Sequence, residues 1–559
     1  MSPLEELEAN KDGLPWVVQK YGGTSVGKFV DVITSSIIKS YMSQQRVVVV
    51  CSARSGETKP KGTTNRLLRA AEEALKPGSK EYQAIVKDIT EDHLAAARLY
   101  IANPDILRET TRDIEYDCWK LRSFLEAAEI IDEVSPRSRD IIIGVGEKLS
   151  CRIVAAVLRD RVCNSFFSRV VTIHVDAEFV SLDNVIEQDF VVENIDQNFY
   201  NYLSERMATI VRKCGNRVPV VSGRFTKRKQ LNHCNRNYTD IPHTSGFFGN
   251  VPGSLLSSVG RGYTDLCAAL IAVGLSAEEL QIWKEVDGIF TADPRKVPGA
   301  RLLPIITPEE AAELTYYGSE VIHPFTMEQV IRARIPIRIK NVENPGGRGT
   351  IIFPDSISRN GIATPPHPPK VLLENGYHLD LSRKHPTAVT IKDNVVVLNI
   401  HSNRKSVSHG FFAQIFGTLD KYGIVIDLIS TSEVHISMAF GADIGEKEME
   451  KPLEELRKLG TVDLLRDMAI LSLVGKQMKN MVGVASRMFS TLAASNINIE
   501  MISQGASEIN ISCVIAAEHA HRAITAIHDN LLMPSTIVAL DNSVTRVKER
   551  VIAGGFAWA

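Results

Sequence analysis

The sequence predicts an α/β protein with a large amino-terminal domain on a mostly parallel sheet, followed by two small repeated α/β units. Three observations lead to this prediction. The chain has 559 residues, which is too long for one hydrophobic core. Short runs rich in Val and Ile alternate with helical patterns over its first part, and one stretch of its last part occurs twice.

The apolar runs of the first part have the length and composition of buried strands. Continuous runs of β-branched residues are typical of parallel strands that are covered on both faces. Helical patterns separate such runs, for example at 264–275 (TDLCAALIAVGL). The runs are 16–20 (WVVQK), 46–52 (RVVVVCS), 218–223 (VPVVSG), 280–288 (LQIWKEVDG) and 335–341 (IPIRIKN). Strands that alternate with helices in this order predict a parallel sheet with helices on its faces.

Two stretches interrupt this pattern. The sheet pattern ends near Asp355 and a segment with TPPHPPK follows, so we expect a first domain over 14–355 and a linker over 356–389. Residues 224–245 are polar and rich in Lys and Arg, and they separate VPVVSG from GFFGN. We expect them to be an insertion in the form of a solvated loop. A nucleic-acid-binding patch is the alternative, but the segment lacks interleaved aromatic residues.

The last part of the chain contains an internal repeat. The segment 410–430 (GFFAQIFGTLDKYGIVIDLIS) aligns without a gap with 483–503 (GVASRMFSTLAASNINIEMIS). A strand pattern precedes each copy, and strand and helix patterns follow it. We therefore expect one βαββαβ unit over 390–466 and a second over 467–545. Neither copy carries an obvious catalytic residue, which favours ligand-sensing modules over a second enzyme.

Composition and charge exclude several classes of protein. Lys and Arg total 64 against 66 for Asp and Glu, so the chain lacks the basic field of nucleic-acid-binding proteins. None of the eight cysteines forms a CxxC pair, which argues against a zinc cluster and favours a reducing compartment. The amino terminus has no apolar run, and no stretch approaches the roughly 20 apolar residues of a membrane helix. We expect a cytoplasmic protein with no nucleic-acid, membrane or metal site.

The sharpest motif is 20–27 (KYGGTSVG), directly after the first predicted strand. Glycines let a backbone come close to an anion, exposed N–H groups cradle phosphate oxygens, and Lys20 adds a mobile cation. The alternative is a glycine turn that only joins a strand to a helix. Residues 22–28 also fit the GxxxxGK pattern of the P-loop, but Phe29 stands where that motif needs Ser or Thr for Mg²⁺.

Two further clusters offer groups that bind anions or nucleotides. Residues 260–265 (GRGYTD) supply an Arg fork for a carboxylate or phosphate, although Thr264 or Asp265 would also suit a helix N-cap. Residues 283–295 (WKEVDGIFTADPR) place Phe290 among charged side chains past a strand end. This second cluster either faces a nucleotide or forms a polar surface loop.

A fourth cluster, 144–147 (GVGE), predicts the start of a helix. Glu147 would meet an ammonium group there, or it would only complement the helix dipole. His323, in VIHPFT, is the remaining candidate, and a lone His before Pro is more often a turn residue.

Taken together, the clusters point to phosphoryl transfer to a carboxylate. A carboxylate is already ionised at neutral pH, so this reaction needs no general base. Its difficulty is to bring two anions together, which requires Lys, Arg, backbone N–H groups and Mg²⁺. Lys20 and Arg261 fit this requirement, and neither GxSxG nor HExxH competes with it.

In this order, the motifs KYGGTSVG, GVGEKLS, VGRGYTDLCAAL, WKEVDGIFTADPRKV and YYGSEVIHPFT resemble those of the aspartate kinases in the amino acid kinase family. The resemblance covers 14–355 and is closest to the fungal monofunctional branch, and the repeats resemble the tandem ACT domains of those enzymes. It implies the amino acid kinase fold, a mostly parallel sheet flanked by helices. It also implies phosphorylation of the L-aspartate side chain to 4-phospho-L-aspartate by ATP with Mg²⁺, the first step towards threonine, methionine and isoleucine.

The resemblance also implies roles for individual residues. Lys20 stabilises the transferring phosphoryl group, and Asp265 orients Lys20. Arg261 binds the α-carboxylate of aspartate and Glu147 its α-ammonium group, with Thr64 nearby. The residues implied around ATP are Lys20, Gly22, Gly23, Thr24, Ser25, Thr264, Lys284, Glu285, Phe290 and Arg295.

This chain departs from many bacterial members at three places. Those members have Gly-Ser where this chain has Tyr263 and Thr264, Thr-Asp at 284–285, and Lys at the position of Glu320. The hydroxyl group is retained at Thr264, so the chemistry is expected to be unchanged, and the adenine and ribose contacts stay open.

The resemblance predicts an amino-acid effector, with threonine expected, and a homo-oligomer assembled through the ACT domains. Gly410 precedes a predicted helix whose N–H groups would meet a carboxylate, and Asp427, expected at a strand end, would take an ammonium group. The residues expected at the effector site are Gly410, Phe411, Asp427, Thr431, Ser432 and Gln504. The repeats alternatively serve only for assembly.

Two other functions stay open at this point. One is a kinase of the same family that acts on a different carboxylate or a carbamate. The other is an amino-acid sensor whose kinase domain is inactive, although intact Lys20, Arg261 and Asp265 argue against it. A fused dehydrogenase is disfavoured because no GxGxxG motif follows the repeats.

Overall fold

A computed structural model describes the parts of the chain given by residue number at the end of this paragraph. The described residues fall into two compact units. The first unit consists of the described residues within 1–289, 304–308 and 322–377. The second unit consists of the described residues within 290–303, 309–321 and 378–559. The described residues are 6–56, 62–160, 173–186, 196–227, 263–316, 322, 324–353, 385–402, 410–432, 435–442, 445–476, 478, 481–505 and 509–533.

The first unit is built on strands that the sequence marks by their Val and Ile content. The described strands are β1 (Glu6–Glu8), β2 (Trp16–Tyr21), β3 (Arg46–Cys51), β4 (Ile173–Val175), β5 (Ala177–Ile186), β6 (Val218–Lys227), β7 (Glu279–Lys284), β8 (Ile305–Ile306), β9 (Ile337–Asn341) and β10 (Thr350–Ile352). The order of the larger sheet is β5-β6-β3-β2-β7-β9-β10-β8. Within it, only β9 and β10 pair in antiparallel fashion. The predicted, mostly parallel sheet is confirmed.

Helices cover this sheet. They are α1 (Gly23–Lys28), α2 (Val30–Val32), α3 (Ile38–Met42) after the π-helical turn Ile33–Ile37, α4 (Thr63–Glu73), α5 (Glu81–Tyr100), α6 (Pro104–Ile131), α7 (Pro136–Asp160), α8 (Gln197–Arg212), α9 (Tyr263–Leu275) and α11 (Pro324–Arg332). The helix that precedes α11 in the chain, α10 (Pro308–Tyr316), belongs to the second unit from residue 309 onward. Local chemistry explains individual boundaries. Asn103 caps α6 by accepting hydrogen bonds from the N–H groups of Asp105 and Ile106, and Pro104 occupies the first helical position.

The core of the first unit lies where these helices meet the central strands. Val47, Val48, Val49 and Val50 of β3 are all fully buried, as expected for a strand covered on both faces. The long helices α5, α6 and α7 pack against one another and extend the same core. No helix in the described part of the chain is both long enough and apolar enough to cross a membrane.

The loop expected over 224–245 is wrong for residues 224–227, which are part of a strand, whereas the insertion itself stays a prediction. Strand β6 continues to Lys227, and Phe225 pairs with Leu182 while Lys227 pairs with Ile186 of β5. The polar side chains do not end the strand because its partner β5 continues beside it and satisfies its backbone groups. Residues 228–245 lie outside the described part.

The second unit contains the two repeats in one sheet. Its described strands are β11 (Ala388–Ser402), β12 (Leu428–Thr431), β13 (His435–Gly441), β14 (Gly460–Val474), β15 (Met501–Ser503) and β16 (Asn510–Ala516). They form an antiparallel sheet in the order β12-β13-β11-β14-β16-β15. The helices are α12 (Phe411–Lys421), α13 (Glu446–Arg457), α14 (Val484–Ala494) and α15 (Ala520–Ile527).

The two repeats share long strands instead of standing one after the other. Strand β14 crosses the predicted boundary at 466/467, and β11 runs beside it along nearly its whole length. Asn394 in β11 and Asp467 in β14 have positive φ angles of 57° and 56°, so each long strand changes course where the two repeats meet. The first residues of β11 (388–392) pair with residues 470–474 of β14. In a βαββαβ unit, the strand that follows the second helix pairs with the first strand. The start of β11 therefore takes the place of a strand after α15 in the second repeat.

Two stretches inside the predicted domain 14–355 pack in the second unit. Thr291 Oγ1 lies 2.9 Å from Nε2 of the fully buried His528. Thr387 Oγ1 donates a hydrogen bond to Glu310 Oε1 at 2.6 Å. The sequence pattern gave no sign of this arrangement because the contacts join residues far apart in the chain.

Candidate active site

The candidate site begins at the carboxyl ends of the adjacent parallel strands β2 and β7. Lys20 is the next-to-last residue of β2, and its ammonium Nζ lies 2.5 Å from Oδ1 of Asp265, in the first turn of α9. Their side chains are only 10% and 14% exposed. Burial in a low-dielectric environment strengthens this charge-assisted contact. The structure therefore brings together two residues that the sequence analysis placed in one site.

The glycine motif forms a tight strand-to-helix turn. Gly22 is extended, with φ −70°, and α1 begins at Gly23. A Cβ atom on Gly23 would lie 2.3 Å from the carbonyl oxygen of Ala53, whereas a Cβ on Gly22 would meet only Ser25 Oγ, at 3.9 Å. The glycine at 23 therefore lets α1 approach the chain that follows β3. At Gly22, by contrast, a Cβ atom would make no contact closer than ordinary van der Waals distance.

Two hydroxyl groups of the predicted nucleotide set lie in the first turn of α1. Ser25 is fully buried, and its Oγ donates a hydrogen bond to Glu285 Oε1 at 2.7 Å. Thr24 is half-buried. Lys284 ends β7, directly before Glu285, so the two predicted stretches meet where β2 and β7 end.

The expected helix start at Gly144 is wrong. Helix α7 begins at Pro136, so Glu147 lies in its middle, away from the helix dipole's positive end. Gly146 serves packing instead, because a Cβ atom there would lie 3.0 Å from both Ala53 Cβ and Thr63 Cγ2. Close approach of the neighbouring chain explains the motif without a helix terminus.

Glu147 nevertheless joins the candidate site. Its side chain is 1% exposed, and Thr264 Oγ1 donates a hydrogen bond to its Oε1 at 2.7 Å. Thr264 precedes Asp265 in the first turn of α9, so the same helix start supplies the partners of Lys20 and Glu147. Thr64 lies in the first turn of α4 and is half-buried. Arg261 lies outside the described residues.

The predicted nucleotide stretch is divided between the two units. Lys284 and Glu285 belong to the first unit, and Phe290 and Arg295 belong to the second. Arg295 is 88% exposed and holds Asp293 through its Nε and Nη2 atoms at 3.0 and 2.8 Å. These hydrogen bonds lower the pKa of the Asp293 carboxyl group.

The sequence analysis did not predict a chain of buried hydrogen bonds that crosses strands β2, β7 and β9 and begins at Gln19, the residue before Lys20. Gln19 Nε2 donates to Gln281 Oε1 at 3.1 Å, and Gln281 Nε2 donates to Glu279 Oε1 at 2.8 Å. Glu279 also accepts a hydrogen bond from Arg338 Nε at 2.7 Å. Burial lowers the pKa of Lys340, on the same strand as Arg338, to about 8. The signal was present, since IPIRIKN alternates cations with Ile in a run read only as apolar.

Five of the six predicted effector residues lie in the first repeat, and Gln504 lies in the second. Gly410 caps α12 with a φ of 91°, a conformation that favours glycine, and Phe411 is buried in the core of the repeat. Asp427 does not end a strand as expected but directly precedes β12. Its N–H donates to Ala439 O in the neighbouring strand, so the pairing of β12 with β13 begins at this residue. Thr431 ends β12, and Ser432 Oγ accepts a hydrogen bond from the N–H of His435. Gln504, of the second repeat, is exposed after β15.

Comparisons with known proteins agree with this architecture. The amino acid kinase family model matches residues 15–341, and an ACT domain model matches residues 471–531. The aspartokinase of Schizosaccharomyces pombe is 53% identical over 550 residues, which are 98% of this chain and 99% of that protein. The aspartokinase of Saccharomyces cerevisiae is 49% identical over 527 residues, 93% of each chain.

The chain belongs to the aspartokinase family. The crystal structure of Escherichia coli aspartokinase III in complex with aspartate and ADP is similar, with a TM-score of 0.64 and 27% identity over 93% of this chain and 100% of that one. The structure of the same enzyme with lysine and aspartate has a TM-score of 0.67 at 26% identity and the same coverage. The predicted fold class and the predicted aspartokinase assignment are confirmed. The roles of individual residues stay predictions.

Proposed function

We propose that the first unit transfers the γ-phosphoryl group of ATP to the side-chain carboxylate of L-aspartate, with Lys20 stabilising the transferring group. The observation that carries this proposal is the 2.5 Å ion pair between Lys20 and Asp265 at the carboxyl end of β2. In open parallel sheets, ligands bind at the carboxyl ends of the strands. Asp265 fixes the ammonium group of Lys20 in place, so that no reorganisation is needed when charge develops on the phosphoryl oxygens.

The reaction depends on groups that neutralise the negative charges of its two substrates, and it does not need a general base. The attacking carboxylate is ionised at neutral pH, so its approach to the triphosphate is the unfavourable step. We assign Gly22, Gly23, Thr24 and Ser25 to the phosphates. The support is that a Cβ atom on Gly22 would meet nothing closer than 3.9 Å and that α1 begins directly after the carboxyl end of β2. Mg²⁺ enters with ATP as part of the substrate, since this ion is usually held by phosphates and one or two carboxylates.

The remaining nucleotide contacts are assigned to the residues past β7. Lys284 and Glu285 directly follow the strand that neighbours Lys20. Phe290 and Arg295 keep the roles that the motif implies, a ring and a cation for the nucleotide. Arg295 would have to exchange Asp293 for a phosphate or ribose group, which a side chain this exposed can do.

Aspartate is assigned to the opposite side of Lys20. Glu147 accepts the α-ammonium group, Arg261 binds the α-carboxylate, and Thr64 lies beside them. The support is that Glu147 is buried and already oriented by the hydroxyl group of Thr264. A buried carboxylate that gains an ammonium partner is stabilised, so the substrate completes the site.

The second unit is proposed to sense an amino acid, with threonine as the expected effector and lysine as the alternative. A structure of the related E. coli aspartokinase III with lysine and aspartate supports the class of ligand. The proposed contacts are Gly410, Phe411, Asp427, Thr431, Ser432 and Gln504. A homo-oligomer through the ACT sheet and a cytoplasmic location complete the proposal. Analytical ultracentrifugation and cell fractionation test these two points.

The test of the catalytic proposal is an initial-rate assay with Mg·ATP that traps the acyl phosphate with hydroxylamine. L-Aspartate should give the hydroxamate and ADP in equal amounts. L-Glutamate, D-aspartate and carbamate serve as matched acceptors, and a higher kcat/KM for any of them would overturn the substrate assignment. ADP release without hydroxamate would overturn the transfer to a carboxylate.

A further inference from the structure

The carboxylate expected to hold the effector's ammonium group already holds one from this chain. Lys392 Nζ lies 2.7 Å from Oδ1 and 2.7 Å from Oδ2 of Asp427. The Asp427 side chain is 4% exposed and that of Lys392 is 28% exposed. The lysine is therefore the more exposed partner of the pair.

The two partners differ in their freedom to move. Asp427 is fixed by its N–H, which donates to Ala439 O at 2.8 Å in the neighbouring strand. Lys392 has a flexible four-carbon side chain, and it stands where the register between β11 and β14 shifts, next to Asn394 with its positive φ. If the ion pair opens, it is the ammonium group of Lys392 that moves.

The pair also joins the two repeats. Lys392 belongs to the part of β11 that pairs with the end of β14, and Asp427 lies at the start of β12 in the first repeat. The next residue, Asp393, forms an ion pair at 2.7 Å with Lys296, in the 290–303 stretch. A displacement of Lys392 would therefore occur directly beside an ion pair with Lys296, which is part of the motif WKEVDGIFTADPRKV.

In the described part of the second repeat, the corresponding carboxylate has no ion pair with a lysine. Glu500 occupies the position of Asp427, and its Oε1 accepts a hydrogen bond from the neutral Asn498 Nδ2 at 2.7 Å. The position that matches Lys392 is Leu465, by the same offset that relates Asn394 to Asp467. An internal cation on the effector carboxylate is thus a feature of the first repeat.

We propose that Lys392 is a built-in competitor for the effector, occupying Asp427 until the α-ammonium group of an amino acid displaces it. This inference rests on the proposed sensor function. The two ammonium groups have the same charge and the same hydrogen-bond donors, so they compete for one carboxylate. The apparent affinity for the effector is then the intrinsic affinity reduced by the fraction of time for which Asp427 is uncovered.

The test compares three variants of the full-length enzyme for inhibition by threonine and by lysine. Lys392→Met removes the competing charge at similar length, Lys392→Arg keeps a cation, and Lys421→Met removes the exposed Lys421–Glu455 pair of the same repeat as a matched control. The half-inhibitory effector concentration is measured relative to each variant's own uninhibited rate. If the pair is closed about nine-tenths of the time, Lys392→Met lowers this concentration about tenfold. Lys392→Arg and Lys421→Met should stay close to the unmodified enzyme.

A second readout follows the lysine itself. Reductive methylation of the Lys392 amine, measured by peptide mass spectrometry, should increase when the effector is added, while that of Lys421 should not. A half-inhibitory concentration that is unchanged or raised in Lys392→Met, in a protein that melts at the normal temperature, would overturn the competition. If Lys392→Met is destabilised, unchanged methylation in the unmodified enzyme overturns it instead. If the unmodified enzyme neither binds nor responds to any amino acid effector, the sensor function fails first, and this inference fails with it.

Discussion

At the scale of single residues, Lys20 and Lys28 offer two different explanations of the same glycine motif. Lys28 is the lysine of the apparent P-loop pattern and is exposed at the end of α1, whereas Lys20 is buried against Asp265. Lys20→Ala should lower kcat by at least three decades with a much smaller change in the KM for ATP, because the lysine acts mainly in the transition state. Lys28→Ala should retain most of the activity. Comparable losses in both variants would contradict the assignment.

Glu147 provides the residue-scale test of aspartate binding. Glu147→Gln keeps the shape and the hydrogen bond with Thr264 but removes the charge that an ammonium group would meet. The KM for aspartate should rise by about one to two decades, equal to roughly 1.4–2.8 kcal/mol, with little change in the KM for ATP. Thr264→Val removes the hydroxyl group that orients Glu147 and leaves the carboxylate, so it should raise the KM for aspartate less than Glu147→Gln does. A rise in the KM for ATP alone would place Glu147 at the nucleotide instead.

His93 makes the stability of the first unit sensitive to acid. Its ring is fully buried in α5, Nδ1 lies 2.7 Å from Ile89 O, and Nε2 has no hydrogen-bond partner among the described residues. Burial lowers its pKa from 6.5 to about 4. Between these values the unfolded chain binds the proton and the folded chain does not, so stability falls as the pH falls from 6.5 towards 4.

The corresponding variant is His93→Gln, which is neutral throughout this range. Relative to it, the unmodified protein should lose up to about 3 kcal/mol of unfolding free energy between pH 6.5 and pH 4. Denaturant unfolding of both proteins at several pH values measures the difference. Parallel pH profiles would show that His93 takes up its proton in the folded state, against the prediction.

At the scale of elements, the turn from β2 to α1 separates packing from phosphate binding. Gly22 and Gly23 are adjacent, but an added Cβ meets a backbone oxygen at 2.3 Å only at Gly23. Gly23→Ala should therefore destabilise the protein by about 1–3 kcal/mol. Gly22→Ala should keep the melting temperature within about 2 °C and still weaken ATP binding if the backbone there approaches the phosphates. An active, normally binding Gly22→Ala variant would remove Gly22 from the phosphate site.

The elements that the sequence predicted correctly are those whose signal is local. Strand β3 follows from its uninterrupted run of four Val residues, and α9 follows from a long apolar helical pattern. The start of α7 was wrong because the glycines near Glu147 were taken for a helix terminus. A glycine is needed at 146 because Ala53 and Thr63 pack closely against it. These residues lie more than 80 positions away in the chain, so the local sequence gives no indication of the contact.

The same limit applies to the candidate site. The pairing of Lys20 with Asp265 was predicted from the family resemblance. Helix and strand periodicity relate only residues that are close in the chain, so they could not predict a contact between these two residues. Lys392 was not singled out at all, since a lysine in a strand is usually solvated, and its partner Asp427 becomes visible only once β11 and β12 are folded. Residue types predicted the chemistry, and long-range contacts decided which groups are already occupied.

At the scale of the whole molecule, regulation requires that the effector bind two states of the protein unequally. A coupling of about 1–3 kcal/mol changes the affinity for aspartate 5- to 150-fold, and linkage requires aspartate to change the affinity for the effector by the same factor. Calorimetric titration of threonine with and without saturating aspartate, and of aspartate with and without saturating threonine, therefore tests the coupling in both directions. Unequal factors would mean that the two titrations report different equilibria.

The last prediction concerns which repeat carries this coupling. Asp427 is buried and meets an ammonium group from the chain itself, whereas Glu500 in the second repeat accepts a hydrogen bond from the neutral amide of Asn498 and has no ion pair among the described residues. Asp427→Asn should therefore raise the half-inhibitory threonine concentration at least tenfold, because a neutral amide cannot replace a carboxylate towards an ammonium group. Glu500→Gln should shift it less than threefold. Inhibition curves, each scaled to the uninhibited rate of the same variant, compare the two repeats directly. The opposite ranking would assign the effector to the second repeat, and equal, small shifts would leave both repeats as assembly modules.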